Sequence, residues 1–338
     1  MVTIGKNHQI QELRRIKKFV NVRTVKTTMS KDHFIPKFYL KGFLNDVKKI
    51  PTYNKKYNKC RDFSPSGIYY QEDLNKIDLK EFGIINLETA FFQNLDDKYA
   101  KAFKTFCNEY QYCIQNTPIE TLIDIVEFFI GLAWRSPYGY SNIKEIIEND
   151  SLLNGVLSLV DDRTGNKMKD ADIPKIIEDI KSKKENQKCF MSLFYQENII
   201  KHDWSCIREK LQIFTTNEPM IIGNTTCIPI KTDYRRGLFF EEFIVPFDKN
   251  HVLIYAKNKP VFYESKLHHL LNMCIISMSE RIACSDERYL MDEIKYAKET
   301  VEKFGNMTHA SLIAKWINIL SRFKSYDQYC DYFYLHKT

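Results

Sequence analysis

The sequence predicts an α+β fold: a mainly helical single domain with a small, mostly antiparallel sheet and a basic N-terminal arm. Three observations predict it. Apolar residues recur at three- and four-residue spacing over about 87–113 and again from Ile119 to Trp134, as in helices with a buried face. From Leu211 the pattern changes to short apolar runs broken by turn residues, as in strands. The charge is uneven: residues 1–60 carry 15 Lys/Arg against 3 Asp/Glu, a balance of +12, while the other 278 residues carry 35 against 40, a balance of −5. Residues 31–338 contain no Pro/Gly/Ser linker and no internal repeat, so they read as one domain.

Residues 1–30 read as the arm. Ile10, Leu13 and Val20 give one short amphipathic helix, with Arg14, Arg15, Lys17 and Lys18 on its other side. The stretch Asp32 to Phe43 follows, DHFIPKFYLKGF. Pro36 suits a first helical turn, where its missing N–H costs nothing. Phe34, Phe38, Tyr39, Leu40 and Phe43 form an apolar face, and Gly42 ends the helix. His33 falls just before that turn and gains a fixed direction, as an acid–base or ligand-contacting imidazole requires.

Lys49 to Lys55 read as a strand whose Pro51 restricts it to an edge or a strand start. Residues 58–70 read as loop, with a turn at Ser64 to Gly67. Asn86 caps a helix over roughly 87–113, with Glu88 in its first turn, where the dipole favours a carboxylate. Thr117-Pro118-Ile119-Glu120 has the form of a capping box with proline at N1. The helix it opens is apolar on more than one face, so it is central. Arg135 sits at its end, before Ser136-Pro137. A helical insertion is expected over about 86–200, with a polar loop at 161–170. Leu211 to Ile222 read as strand, turn, strand, broken at Asn217-Glu218-Pro219. Residues 240–245 and 251–256 form a hairpin, and helices follow at about 265–282, 286–304 and 309–323.

Several classes are excluded by what is missing. No stretch reaches the ~18 apolar residues of a membrane helix; the longest, Leu122 to Trp134, contains Asp124 and Glu127. The N-terminus lacks a signal-peptide apolar core. Nine cysteines without a CxxC pair read as reduced thiols, which places the protein in the cytoplasm. GxGxxG, Walker A, HExxH and GxSxG are all absent.

The spacing of His33, Pro36, Tyr39, Leu40 and Phe43 resembles the opening "H-x-x-P-x-x-Y-L-x-x-F" of the bacterial domain of unknown function family 4238. Further along, Tyr53 and Tyr69 or Tyr70 match its aromatic positions. Leu87-Glu88 is similar to its "L-E", and Arg135-Ser136-Pro137 to its "R-[ST]-P". Phe214 to Pro219 resembles its "[FI]-T-S-D-x-P", and Ile244 to Phe247 its "F-P-L" strand. The likeness runs in order from about residue 32 to 256. Asn217 stands where the family has Asp, so the resemblance supports a shared fold more than a shared reaction. Genes of such families often neighbour defence genes, which implies a role in bacterial conflict.

His33, Glu88, Arg135, Asn217 and Glu218 all fall at element ends, where polar groups gather around clefts. A histidine near a carboxylate, with an arginine for an oxyanion, suits phosphodiester chemistry. The first expectation is therefore a nucleic-acid-directed hydrolase, with a divalent metal left open. The second is a non-catalytic module that grips nucleic acid or an acidic protein surface through Arg14, Arg15, Lys17, Lys18, Lys37 and Lys41. The third is a structural role: Glu88 and Arg135 form an internal ion pair that ties two helices, with His33 bonded nearby.

Overall fold

The computed structural model describes residues 31–79, 83–88, 92–136, 202–233, 238–257 and 265–303, with single positions at 178, 182, 195 and 199. The arm, the 161–170 loop, the helix expected at 309–323 and, apart from those single positions, residues 140–200 lie outside the described residues. Within them, helix and strand share an α+β architecture, and every strand pairing is antiparallel. Short strands are more numerous than helices among the described residues, while the three longest elements are helices.

The chain opens with β1 (Lys31–His33) and the short helix α1 (Lys37–Leu40), which continues as a 3-10 turn to Phe43. The hairpin β2 (Ile50–Asn54) and β3 (Lys59–Phe63) follows. Pro51 stands near the start of β2, as its missing N–H demands, yet β2 is an inner strand. Its carbonyl accepts from Cys284 N–H at 3.1 Å, just beyond the ladder to β12. The segment expected as loop over 58–70 contains the strand β3, while Ser64 to Gly67 turn as expected, with Gly67 N–H bonded to Ser64 carbonyl at 2.8 Å.

Next come β4 (Tyr70–Glu72), β5 (Lys76–Leu79) and β6 (Gly83–Asn86). β1 pairs with β4, and β5 with β6, as two-stranded ribbons. The Asn86 side chain accepts from Glu88 N–H at 2.8 Å, the contact expected of a cap. Helix α2 (Gln93–Lys104) runs into a π-turn ending at Glu109, short of the expected end at 113. Helix α3 (Ile119–Arg135) is the centre of the core: Leu122, Ile125, Val126, Phe129 and Ile130 are fully buried. The expected capping box is not formed. Thr117 Oγ1 donates back to the Cys113 carbonyl at 2.6 Å, so the preceding turn takes the hydroxyl from the helix.

After α4 (Ile207–Lys210), β7 (Leu211–Thr215) leads through the 216–219 turn to β8 (Ile222–Gly223). The strand–turn–strand expectation holds, but the two strands part company. β7 joins the sheet β7-β11-β10-β9, made with β9 (Ile228–Asp233), β10 (Leu238–Asp248) and β11 (His251–Tyr255). β8 joins the sheet β3-β2-β12-β8, whose β12 (Arg281–Ala283) lies between helices α5 (Ser265–Met278) and α6 (Glu287–Lys303). At β8 a Cβ on Gly223 would fall 2.1 Å from Ser279 Oγ, so the end of α5 requires glycine there.

An aromatic cluster joins α1, α2, α3 and β10. Phe103 stacks on Phe247 at 4.7 Å, and Tyr39, Phe128 and Phe129 pack edge-on around them. The Tyr39 hydroxyl donates to the Pro246 carbonyl, so the opening motif is bonded to the Ile244–Phe247 strand 207 residues away.

Candidate functional site

Three of the five expected site residues meet. Arg135, with a side chain only 6% exposed, leaves the end of α3 and runs into a polar pocket under β1. Its Nη1 donates to Asp96 Oδ1 at 2.8 Å, and its Nη2 to the His33 carbonyl at 2.6 Å. Glu88 Oε2 lies 3.6 Å from Nη2, and the guanidinium sits 4.3 Å from the centre of the Phe92 ring. The expected Glu88–Arg135 ion pair is thus present, but Asp96 is the closer partner. Glu88, Phe92 and Asp96 fall at four-residue spacing, which sets them along one side of a helical path. That spacing was readable in the sequence, although Asp96 was missed.

The pocket carries more carboxylate than one guanidinium neutralises. Asn75 ties two of the acids together: its side chain donates to Glu88 Oε2 at 2.9 Å, and its N–H to Asp32 Oδ2 at 2.7 Å. Burial pushes the Glu88 carboxyl up, against the pull of Arg135, and Asp96 and Asp32 push it further. Burial likewise raises Asp96, with Arg135 opposing. The charged net is therefore costly on its acid side, as buried ion clusters are.

His33 contributes its backbone carbonyl to this net and turns its ring elsewhere. The imidazole is 4% exposed, lies 5.6 Å from the Tyr70 ring, and its Nε2 has no hydrogen-bond partner. Burial, then Lys37, lowers its pKa and keeps the ring neutral. A neutral imidazole with one unengaged nitrogen is chemically available, but it stands behind Tyr70.

Asn217 and Glu218 do not join this group. Both are exposed in the 216–219 turn, and no recorded contact among the described residues links them to His33 or Arg135. The turn is a backbone brace: Thr216 N–H donates to Asn250 carbonyl at 2.7 Å, and Met220 N–H to Lys249 carbonyl at 2.8 Å. It borders a second polar cluster. There His269 Nδ1 lies 2.6 Å from Glu293 Oε1, and the Asn272 amide donates to Glu293 Oε2 at 2.9 Å. Glu293 belongs to the Glu293-Ile294-Lys295 triplet, which lies on helix α6 and not on a strand.

A feature that sequence reasoning missed lies on the other side of β4. One face of β2, β3 and β12 carries Tyr53, Cys60 and Ile282 toward α6, where Lys298 sits over the Tyr53 ring. The opposite face opens into a groove of about 900 Å³. Lys59, Asn54 and Arg281 stand in one register row across three adjacent strands, and Arg61 stands opposite Thr52 in the next. Tyr57, at the tip of the β2–β3 hairpin, and Tyr70, on β4, complete the walls, and Glu72 lines the same rim. Among the described residues none of Lys59, Arg61 and Arg281 is in a salt bridge. No alternation of buried and exposed residues runs along β3, so the sequence carried no signal for this face.

Among the described residues, no group of three or more His, Cys, Asp or Glu side chains is arranged to hold a metal ion. Arg14, Arg15, Lys17 and Lys18 lie outside the described residues, while Lys37 and Lys41 are exposed on and just after α1.

The family-like motifs meet in the folded chain, Arg135 on the His33 carbonyl and Tyr39 on the Pro246 carbonyl. This chain belongs to the DUF4238 family: the model described as "Protein of unknown function (DUF4238)" matches residues 31–313. The chain matches no curated protein and no solved structure.

Proposed function

We propose that this protein binds nucleic acid through the cation-rich surface of residues 31–63, as a binding module. The observation that carries the reading is the exposure of that surface. Lys31, Lys37, Lys41, Lys48, Lys49, Lys55, Lys56, Lys59 and Arg61 are all exposed, while the acids of this stretch are buried Asp32 and exposed Asp46 and Asp62. Such an excess of cations attracts a polyanion by counterion release. Aromatic rings beside the cations favour nucleic acid over an acidic protein surface. The arm, with Arg14, Arg15, Lys17 and Lys18, would extend the same contact.

A setting in the cytoplasm fits this reading. The described cysteines are all free thiols, and no described helix is long and apolar enough to cross a membrane.

A hydrolase centred on His33 is the second reading, and the observation that favours it is the unpartnered Nε2 of a neutral, buried imidazole. Arg135 serves that reading poorly. Its side chain is buried and committed to Asp96 and to the His33 carbonyl, which leaves it badly placed as a phosphate clamp.

The deciding experiment titrates the full-length protein with labelled RNA and DNA at a series of salt concentrations. The expected result is affinity that falls steeply with salt; a flat response removes the nucleic-acid reading. Incubation with RNA and DNA, with and without Mg²⁺ or Mn²⁺, beside His33→Ala, tests the hydrolase. Cleavage that disappears in the variant, at unchanged stability, would replace the binding module with the enzyme.

A further inference from the structure

The groove on the β2–β3–β12 face narrows the ligand. Resting on the nucleic-acid reading, we infer that this groove holds a single strand, with phosphates on Lys59, Arg61 and Arg281 and a base stacked on Tyr57.

Lys59 and Arg61 are two residues apart on β3, so their side chains leave the same face about 7 Å apart. Arg281 reaches that face from β12, two strands away, level with Lys59 through Asn54. The three cations therefore form a corner, which matches a strand of phosphates that crosses the sheet obliquely. Charges on an edge strand have an ordinary use, since they discourage pairing with a second chain. That use accounts for Lys59 and Arg61 on the edge strand β3. It does not account for Arg281, because β12 is an inner strand.

The rings supply the second part. Tyr57 is 62% exposed, an unusual position for a large aromatic side chain, and Lys56 lies over its ring at 5.6 Å. The opposite wall is Tyr70, with Lys31 over its ring at 4.7 Å and His33 behind it. Its position is enforced by strain. Tyr69 has φ 53°, a left-handed backbone that a bulky residue seldom adopts, and its ring is fully buried. Turning Tyr69 inward leaves the next residue facing the groove. A duplex keeps its bases stacked on each other and offers an edge-protected backbone. Only an unpaired strand can present a base to the exposed Tyr57 ring. Glu72 would repel a phosphate, yet a carboxylate at the rim can accept from an exocyclic base amine.

The test uses the full chain and fluorescence anisotropy. The probes are a labelled single-stranded oligonucleotide, the same strand with abasic sites, its duplex, and heparin as a polyanion without bases. The variants are Tyr57→Ala and the double variant Lys59→Gln/Arg61→Gln, all at exposed positions. The inference expects the single strand to bind more tightly than the duplex. Tyr57→Ala should weaken it by about fivefold or more, with no change in salt slope. The abasic strand should be insensitive to Tyr57→Ala. The double variant should lower the salt slope by about 1.4, the release of two phosphate contacts. Equal binding of duplex, heparin and single strand, untouched by Tyr57→Ala, overturns the groove and leaves the general nucleic-acid reading standing. Absence of binding to every probe overturns both.

Discussion

The Arg135 pocket and the β2–β3–β12 groove lie on either side of the β1–β4 ribbon, and they treat charge in opposite ways. In the pocket one guanidinium is enclosed by Asp96, Glu88, the His33 carbonyl and the Phe92 ring. In the groove Lys59, Arg61 and Arg281 share one face, and none is in a salt bridge among the described residues. Enclosed charge fixes a fold, because removal of one partner strands the others in a low-dielectric site. Unpaired charge at a surface contributes little to the fold and stays available for a ligand. The contrast is between Arg135, whose charge is enclosed, and Lys59 and Arg61, exposed on a segment that reads as loop in the sequence.

Arg135→Ala tests this contrast most severely. It should cost about 3–5 kcal/mol, since it leaves buried carboxylates uncompensated. Urea unfolding at pH 7 measures the loss. Below its unfolding transition the variant should bind nucleic acid as the parent does. Intact stability with lost affinity would move Arg135 from scaffold to ligand site and break the comparison.

Acid should next separate the groove from the rest of the fold. Burial pushes His202 and His268 down to about 4, far below an unfolded histidine near 6.5. A lowered histidine pKa means the folded form resists the proton, so its stabilisation is complete above the unfolded pKa. That stabilisation is lost as pH falls from about 6.5 toward 4, by roughly 3 kcal/mol for each group. Unfolding free energies at pH 7 and pH 5 should show the decline, and His202→Gln should reduce it. Neither His202 nor His268 lines the groove, so affinity per folded molecule should hold. Parallel loss of stability and affinity would place a titrating group in the groove.

A smaller effect distinguishes members of the pocket. Glu88 is raised, so its charged form is disfavoured by folding at neutral pH, and the penalty disappears as pH falls through its folded pKa. Glu88→Gln should therefore stabilise the protein at pH 7, by less than about 1 kcal/mol, and the gain should vanish in acid. Destabilisation at pH 7 would show that the 3.6 Å contact to Arg135 outweighs desolvation. Least of all, Lys59→Gln/Arg61→Gln should change stability by no more than about 0.5 kcal/mol, by thermal unfolding. A larger loss would make the groove's cations part of the fold.

The local pattern of the chain was enough for several elements. The apolar surround of Leu122 to Trp134 marked α3 as central, and it is. The turn at 246–250 marked the β10–β11 hairpin, and the last described helix begins at Glu287 beside the expected 286. The order of the family-like motifs also held. In the folded chain they meet through contacts such as Arg135 to the His33 carbonyl and Tyr39 to the Pro246 carbonyl.

Other features were decided by the tertiary structure alone. β3 exposes Lys59, Arg61 and Asp62, so no buried face marks it as a strand; pairing with β2 makes it one. β1, β4 and β12 have three residues each, too few to show a period. β7 and β8 are neighbours in sequence, yet β8 is claimed by β12, some 60 residues on, and not by β7. Thr117 has the sequence of a cap but bonds backward, because an unfinished turn lay nearer than the helix. Sequence determined which segments had a face to bury, since periodicity records burial along one element. Tertiary structure decided which strands met and which charges faced each other, because those energies lie between residues far apart in the chain.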